Sequence, residues 1–145
     1  MRASAAYFDT SVVVKRYVNE LASVRARGLL RRFRPVLSAV ALVELSSAVR
    51  RRTNAGELSE AAMTAVLRRI DDDRRRWQLI DVTAPVLNRA ETLALELGIA
   101  ALDAIHVASA ATLAEGLGRH VAFVTADARQ RSAAARVNLE VVWVE

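Results

Sequence analysis

Four carboxylates interrupt the apolar segments that must form the core of this chain. They are Asp9 in YFDTSVVVKRY, Glu44 in SAVALVELSSAV, Asp103 in GIAALDAIHVASA and Asp127 in VAFVTADAR. Carboxylates are almost never fully buried unless they are hydrogen-bonded, paired or bound to a metal. A fold for this sequence must therefore join its apolar runs while giving four separated acids a common outlet. A hard divalent cation, which takes oxygen ligands, supplies one.

Short apolar runs alternate with stretches of helical periodicity, and that order predicts an α/β fold. Strands are expected at residues 5–8, 36–38, 77–82, 121–125 and 140–144. Helices are expected at 11–18, 20–32, 39–52, from Ser59 to about 76, from Thr83 to Gly98, at 102–115 and at 128–135. Local punctuation supports several of these limits: Ser59 and Thr83 are N-cap residues, Pro85 suits a first turn, and Gly98 suits a helix end. Val40, Val43 and Ala48 read as the inward stripe of the third helix, with Glu44 one turn in. Met63, Val66, Leu67 and Ile70 form an apolar stripe on the next helix that needs a partner.

The 145 residues suit one domain, with no repeat or low-complexity linker. No cysteine is present, which excludes disulfides and thiolate metal sites and is compatible with a reducing cytosol. MRASAAYFDTS lacks the apolar region of a signal peptide, and no apolar run approaches the roughly 18 residues of a membrane span, so a cytoplasmic protein is expected. Basic residues outnumber acidic ones by 21 to 16, and Lys15 is the only lysine. The arginines cluster at positions 31, 32 and 34, at 50–52, at 68–69 and at 74–76. Guanidinium groups match phosphate bidentately, so the surface favours polyanions, although such runs also occur on ordinary solvated helix faces.

In this layout Asp9 and Asp127 lie just past strands, and Asp103 lies in a helix's first turn. Open α/β sheets bind ligands outside the carboxyl ends of their strands, where strand order reverses. Each acid also has a local reading: Asp9 and Asp127 as helix caps, Asp103 as a first-turn acid, and Glu44 as an exposed helix-edge residue. His106 follows Asp103 by one turn but is flanked by Ile105, Val107 and Ala108. It reads as a packed or hydrogen-bonded histidine rather than a ligand. Trp77 and Trp143 read as core or interface anchors rather than base-stacking platforms.

Taken in order, YFDTSVVVKRY, ALVELSSAV, ALDAIHVASA and FVTADARQRSAA resemble the PIN-domain ribonucleases, and within them the VapC-type toxins of toxin–antitoxin modules. The resemblance covers essentially the whole chain. It implies a three-layer α/β/α fold with a mostly parallel central sheet, and a Mg²⁺- or Mn²⁺-dependent endoribonuclease held inactive by a cognate antitoxin. On the matching positions, Asp9 and Asp103 become principal metal ligands and Asp127 completes the site directly or through water. Glu44 orients a water or holds a second ion, and Thr10, Ser11 and Thr125 hydrogen-bond the acids.

Many relatives carry a basic residue shortly before the third acid. This chain has Ile99, Ala100 and Ala101 there, which leaves a phosphate contact from that position without a carrier. Arg16, Arg50 and Arg51 are the expected RNA contacts, and the resemblance, together with the Met63–Ile70 stripe and the apolar third helix, points to a homodimer. Two other classes stay open: a non-catalytic RNA- or partner-binding domain that retains the acids, and a different Mg²⁺-dependent phosphotransfer domain. Against the latter, no second Asp lies two residues beyond Asp9.

Overall fold

Successive residues of the first strand, β1 (Ala5–Phe8), turn to opposite sides, as strand geometry requires. Ala6 and Phe8 enter one apolar cluster, with Val12, Val13, Leu45 and Val124. Tyr7 enters a second, with Val107, Phe123 and Ala134. Sheets covered on both faces read as near-continuous apolar runs, and all four residues of β1 are buried. The computed structural model describes residues 2–145.

After β1 come helices α1 (Thr10–Tyr17) and α2 (Ser23–Arg32), strand β2 (Arg34–Ser38), then helices α3 (Val40–Asn54) and α4 (Glu60–Asp73). A 3-10 turn (Arg74–Arg76) leads into β3 (Gln78–Ile80), α5 (Ala84–Leu97), α6 (Ala101–Leu117), β4 (Ala122–Thr125), α7 (Ala128–Arg136) and β5 (Glu140–Trp143). The strands form a sheet ordered β3-β2-β1-β4-β5, with every neighbouring pair parallel. Helices α1 to α4 supply one apolar layer and α5 to α7 the other. This is the expected three-layer α/β/α arrangement.

The chain lays β1, β2 and β3 outward in one direction, then returns to set β4 on the free side of β1. Strand order thus reverses between β1 and β4. Phe8 pairs with Val124 there, and the Asp9 amide donates to the Val124 carbonyl at 3.1 Å. The carboxyl ends of both strands therefore open at one point, the place where such sheets bind ligands.

Local signals set several helix ends as expected. Ser59 accepts from the Ala62 amide, Thr83 accepts from the Val86 amide, and Gly98 takes a left-handed φ of 64°. Two stripes differ from expectation. In α3 the inward residues are Ala41, Leu45 and Val49, while Val43 is 71% exposed. The first turn of this helix, Val40 to Val43, is apolar on every side, so periodicity alone left its rotation open. The α4 stripe is not surplus: Met63, Val66 and Ile70 are buried in the same core as α1 and α3, and of the four only Leu67 counts among the exposed residues. The interface argument built on that stripe therefore falls. Strand β3 is also shorter than the expected 77–82, because it pairs with β2 only from Gln78 to Ile80.

Candidate active site

Asp9 closes β1 and opens α1, and it is fully buried. Its Oδ1 accepts from the Ser11 hydroxyl at 2.6 Å and from the Val12 amide at 3.3 Å, which caps α1. Its Oδ2 accepts from the Thr125 hydroxyl of β4 at 2.7 Å. Burial raises its carboxyl above the usual range, against the opposing pull of the Ser11 and Thr125 hydrogen bonds. Capping and site membership are therefore not alternatives for this residue.

Asp127 also does both. Its Oδ1 accepts from the Arg129 and Gln130 amides and caps α7. The exposed Arg129 guanidinium lies 3.4 Å from Asp127 Oδ2 and 3.8 Å from Asp103 Oδ2. A cation thus reaches Asp103 from α7, although the segment before Asp103 carries none. Asp103, buried in the first turn of α6, accepts from Gln130 Nε2 at 3.0 Å through Oδ1. Its Oδ2 is buried and has no hydrogen-bond partner.

Glu44 reaches the same place from α3. Its Oε1 accepts from the Thr10 hydroxyl at 2.8 Å and meets His106 Nε2 at 2.6 Å. Burial acts to raise the Glu44 carboxyl, but the hydrogen bonds from His106 and the Thr10 hydroxyl outweigh it and hold the group below its ordinary range. His106 is fully buried with both nitrogens engaged, Nδ1 meeting the Tyr7 hydroxyl at 2.6 Å. It is the hydrogen-bonded core histidine that its apolar flanks predicted.

These groups surround a cavity of about 650 Å³ lined by Thr10, Ser11, Glu44, Asp103, Asp127 and Gln130, among others. Asp9 lies behind Ser11. Of the three arginines expected at its approach, Arg51 lines the cavity; Arg52 and Arg129 also do. Arg52 is already paired with Glu20 and Glu57. Arg16 lies elsewhere: its Nε sits 2.7 Å from Asp73 Oδ2, in a separate cleft with Phe33 and Trp77. Arg50 pairs with Glu60 at 3.0 Å, outside the cavity. The structure thus places both side chains away from the cavity, because position on the right helix does not decide which way a long side chain turns.

Gln130, Arg129 and Tyr7 were not foreseen. Gln130 carried a signal nonetheless, since it shares the buried stripe of α7 with Ala133 and Ala134. A glutamine on an apolar stripe just after an acid needs a polar partner.

Among the described residues, no three carboxylate or imidazole side chains close around a single ion. Mg²⁺ does not require that, since it is commonly held by one or two carboxylates with the other positions left to water and phosphate. The donors are oxygen-rich, and Asp103 Oδ2 is a buried carboxylate oxygen that accepts no hydrogen bond among the described residues. The set fits a hard cation.

Among solved structures, the fold is similar to VapBC2 from Rickettsia felis bound to a DNA fragment from their promoter, with a TM-score of 0.67 at 18% identity over 97% of this chain and 99% of that one. FitAcB from Neisseria gonorrhoeae gives 0.68 at 20% identity over 94% and 95%. DNA-bound VapBC from Salmonella typhimurium gives 0.68 at 15% identity over 99% of both chains. At these identities the likeness is one of fold. The comparison with curated proteins gave no match. The family model of the PIN domain matches residues 6–136, spanning the four acids and all but the last strand, and the chain belongs to the PIN domain family.

Proposed function

We propose that the chain is a divalent-metal-dependent endoribonuclease and acts as the toxin of a toxin–antitoxin pair. One observation carries this reading: the cavity at the β1/β4 reversal gathers Glu44, Asp103 and Asp127 over the buried Asp9. Membership of the PIN domain family supports a nuclease. The structural neighbours include complexes described as VapBC and as a toxin–antitoxin complex from Klebsiella pneumoniae, which supports an antitoxin partner for this chain.

Asp9 and Asp103 are the proposed ligands of Mg²⁺ or Mn²⁺, with Asp127 completing the site. When bound, the ion neutralises phosphate charge and lowers the pKa of water. The protein's own part is positional. Thr10, Ser11 and Thr125 hold the carboxylates by hydrogen bonds. Glu44 Oε2, which takes no hydrogen bond among the described residues, is free to accept a proton from the attacking water. That water oxygen bonds to phosphorus as the bond to the leaving ribose oxygen breaks, and the leaving oxygen takes up a proton. Arg51 and Arg129 flank the cavity and are the proposed contacts to backbone phosphate.

A cytoplasmic location suits this role, and among the described residues no helix is long and apolar enough to cross a membrane. The exposed Val43 and Leu102 beside Arg51 offer the apolar contact for an antitoxin or for the second copy of a homodimer. The test is cleavage of end-labelled RNA and of DNA of the same sequence, with Mg²⁺ or Mn²⁺ and with excess chelator. Shortened RNA with either metal, intact DNA and no product in chelator are expected. Cleavage that persists in chelator, or that is unchanged in Asp103→Asn, overturns the assignment.

A further inference from the structure

Helix α6 carries three buried polar side chains at one-turn spacing, Asp103, His106 and Ser109, of which the first two reach the site. Asp103 lines the cavity, whereas His106 lies beneath it with no solvent exposure. Glu44 comes from α3, in the layer on the other face of the sheet. The 2.6 Å contact from His106 Nε2 to Glu44 Oε1 therefore ties the two layers together across the carboxyl edge of the strands.

The ring's other nitrogen is held just as firmly. Tyr7 stacks on Phe123 with centroids 5.4 Å apart and planes within 5°, and it meets the His106 ring edge-on at 6.0 Å. Its hydroxyl lies 2.6 Å from Nδ1. That hydroxyl is fully buried at hydrogen-bond distance from a ring nitrogen, and it donates there. A phenol donating to Nδ1 leaves the ring proton on Nε2, which then donates to Glu44. The donors run in one direction, Tyr7 to His106 to Glu44, and Thr10 adds a second hydrogen bond to the same Glu44 oxygen.

We propose that His106 is the positioning residue of Glu44, and that Tyr7 sets the imidazole tautomer this requires. A glutamate side chain has three rotatable bonds, and one on a partly open cavity edge samples many rotamers unless fixed. Two donors on Oε1 leave Oε2 pointing in a single direction. The kinetic consequence rests on the nuclease reading above; the tautomer does not.

The experiment pairs imidazole nitrogen NMR with steady-state RNA cleavage in the wild type, His106→Leu, His106→Gln and Tyr7→Phe. In the wild type, His106 is expected as the single tautomer protonated at Nε2, and in Tyr7→Phe as a mixture. His106→Leu removes both hydrogen bonds and is expected to lower kcat roughly 10- to 100-fold with KM within about twofold, as for loss of a group that orients a catalytic one. His106→Gln keeps a donor near the Nε2 position and is expected to regain much of that loss. A folded His106→Leu with wild-type kcat, a His106→Gln no better than His106→Leu, or a wild-type ring protonated at Nδ1 each overturns the proposal. If the wild type cleaves no RNA, the nuclease reading fails. The tautomer measurement then decides the positioning claim alone, as it does if His106→Leu does not fold.

Discussion

Gln130 donates its amide nitrogen to Asp103 Oδ1 at 3.0 Å, and each partner keeps one buried oxygen, Gln130 Oε1 and Asp103 Oδ2, that accepts no hydrogen bond. A buried acceptor left unpaired costs about 1–3 kcal/mol. Such a pair beside a cavity is a place where a hydrated cation offsets an existing cost. Gln130→Leu removes the residue that orients Asp103, and it should weaken Mn²⁺ binding by roughly 10- to 100-fold in a calorimetric titration. Wild-type Mn²⁺ affinity in this variant would show that Asp103 needs no orienting partner.

Asp9 is held in a conflict between its burial and its charge. Its full burial raises its carboxyl, so in the metal-free protein the charged form is destabilising once pH exceeds the unfolded value. Asp9→Asn should therefore match or exceed the wild type in thermal stability without metal. It should also lose the stabilisation that Mn²⁺ confers, about 2.7 kcal/mol at a hundredfold excess over Kd. Thermal melts with and without Mn²⁺ check both halves. An undiminished metal-dependent shift in Asp9→Asn would remove Asp9 from the site.

The arginines divide by geometry. Arg51 lines the cavity and among the described residues its side chain bonds only the Ser47 hydroxyl, whereas Arg50 is paired with Glu60 outside it. In an Asp9→Asn background, Arg51→Ser should reduce the slope of log K against log salt for single-stranded RNA by about 0.7. Arg50→Ser and Arg74→Ser should leave it unchanged. Equal effects at all three positions would mean that net charge alone attracts RNA.

Asp73 gives the clearest pH signature. It accepts from Arg16 Nε and from the Tyr17 hydroxyl, each at 2.7 Å. Burial acts to raise it, but those two partners outweigh burial and hold its carboxyl below the ordinary range. A carboxylate depressed on folding stabilises above its unfolded value, near 3.9, and that contribution is lost as pH falls through the folded value. Asp73→Asn should cost about 1–2 kcal/mol at pH 7, allowing for partial exposure, and the gap to the wild type should close toward pH 3. Denaturant titrations at the two pH values measure it, and an equal gap at both would contradict the linkage.

Much of this protein was legible in one dimension. Apolar runs ending in Asp9 and Thr125, the caps Ser59 and Thr83, and the helix-ending Gly98 are local features, set by backbone groups within a few residues of each side chain. From them follow the alternation of strand and helix, the α/β class, and acids at strand ends. What lay beyond reach depended on chain segments far apart in sequence. The rotation of α3 was settled by what packs on Ala41, Leu45 and Val49, because its first turn is apolar all round. The covering of Met63, Val66 and Ile70 came from the same core. The partners of long side chains are equally non-local, since Arg16 meets a residue 57 positions away and His106 bonds Tyr7 from 99 positions away. Local propensity carries no record of such encounters; they exist only once the parallel sheet has brought β1, α3, α6 and α7 to one edge.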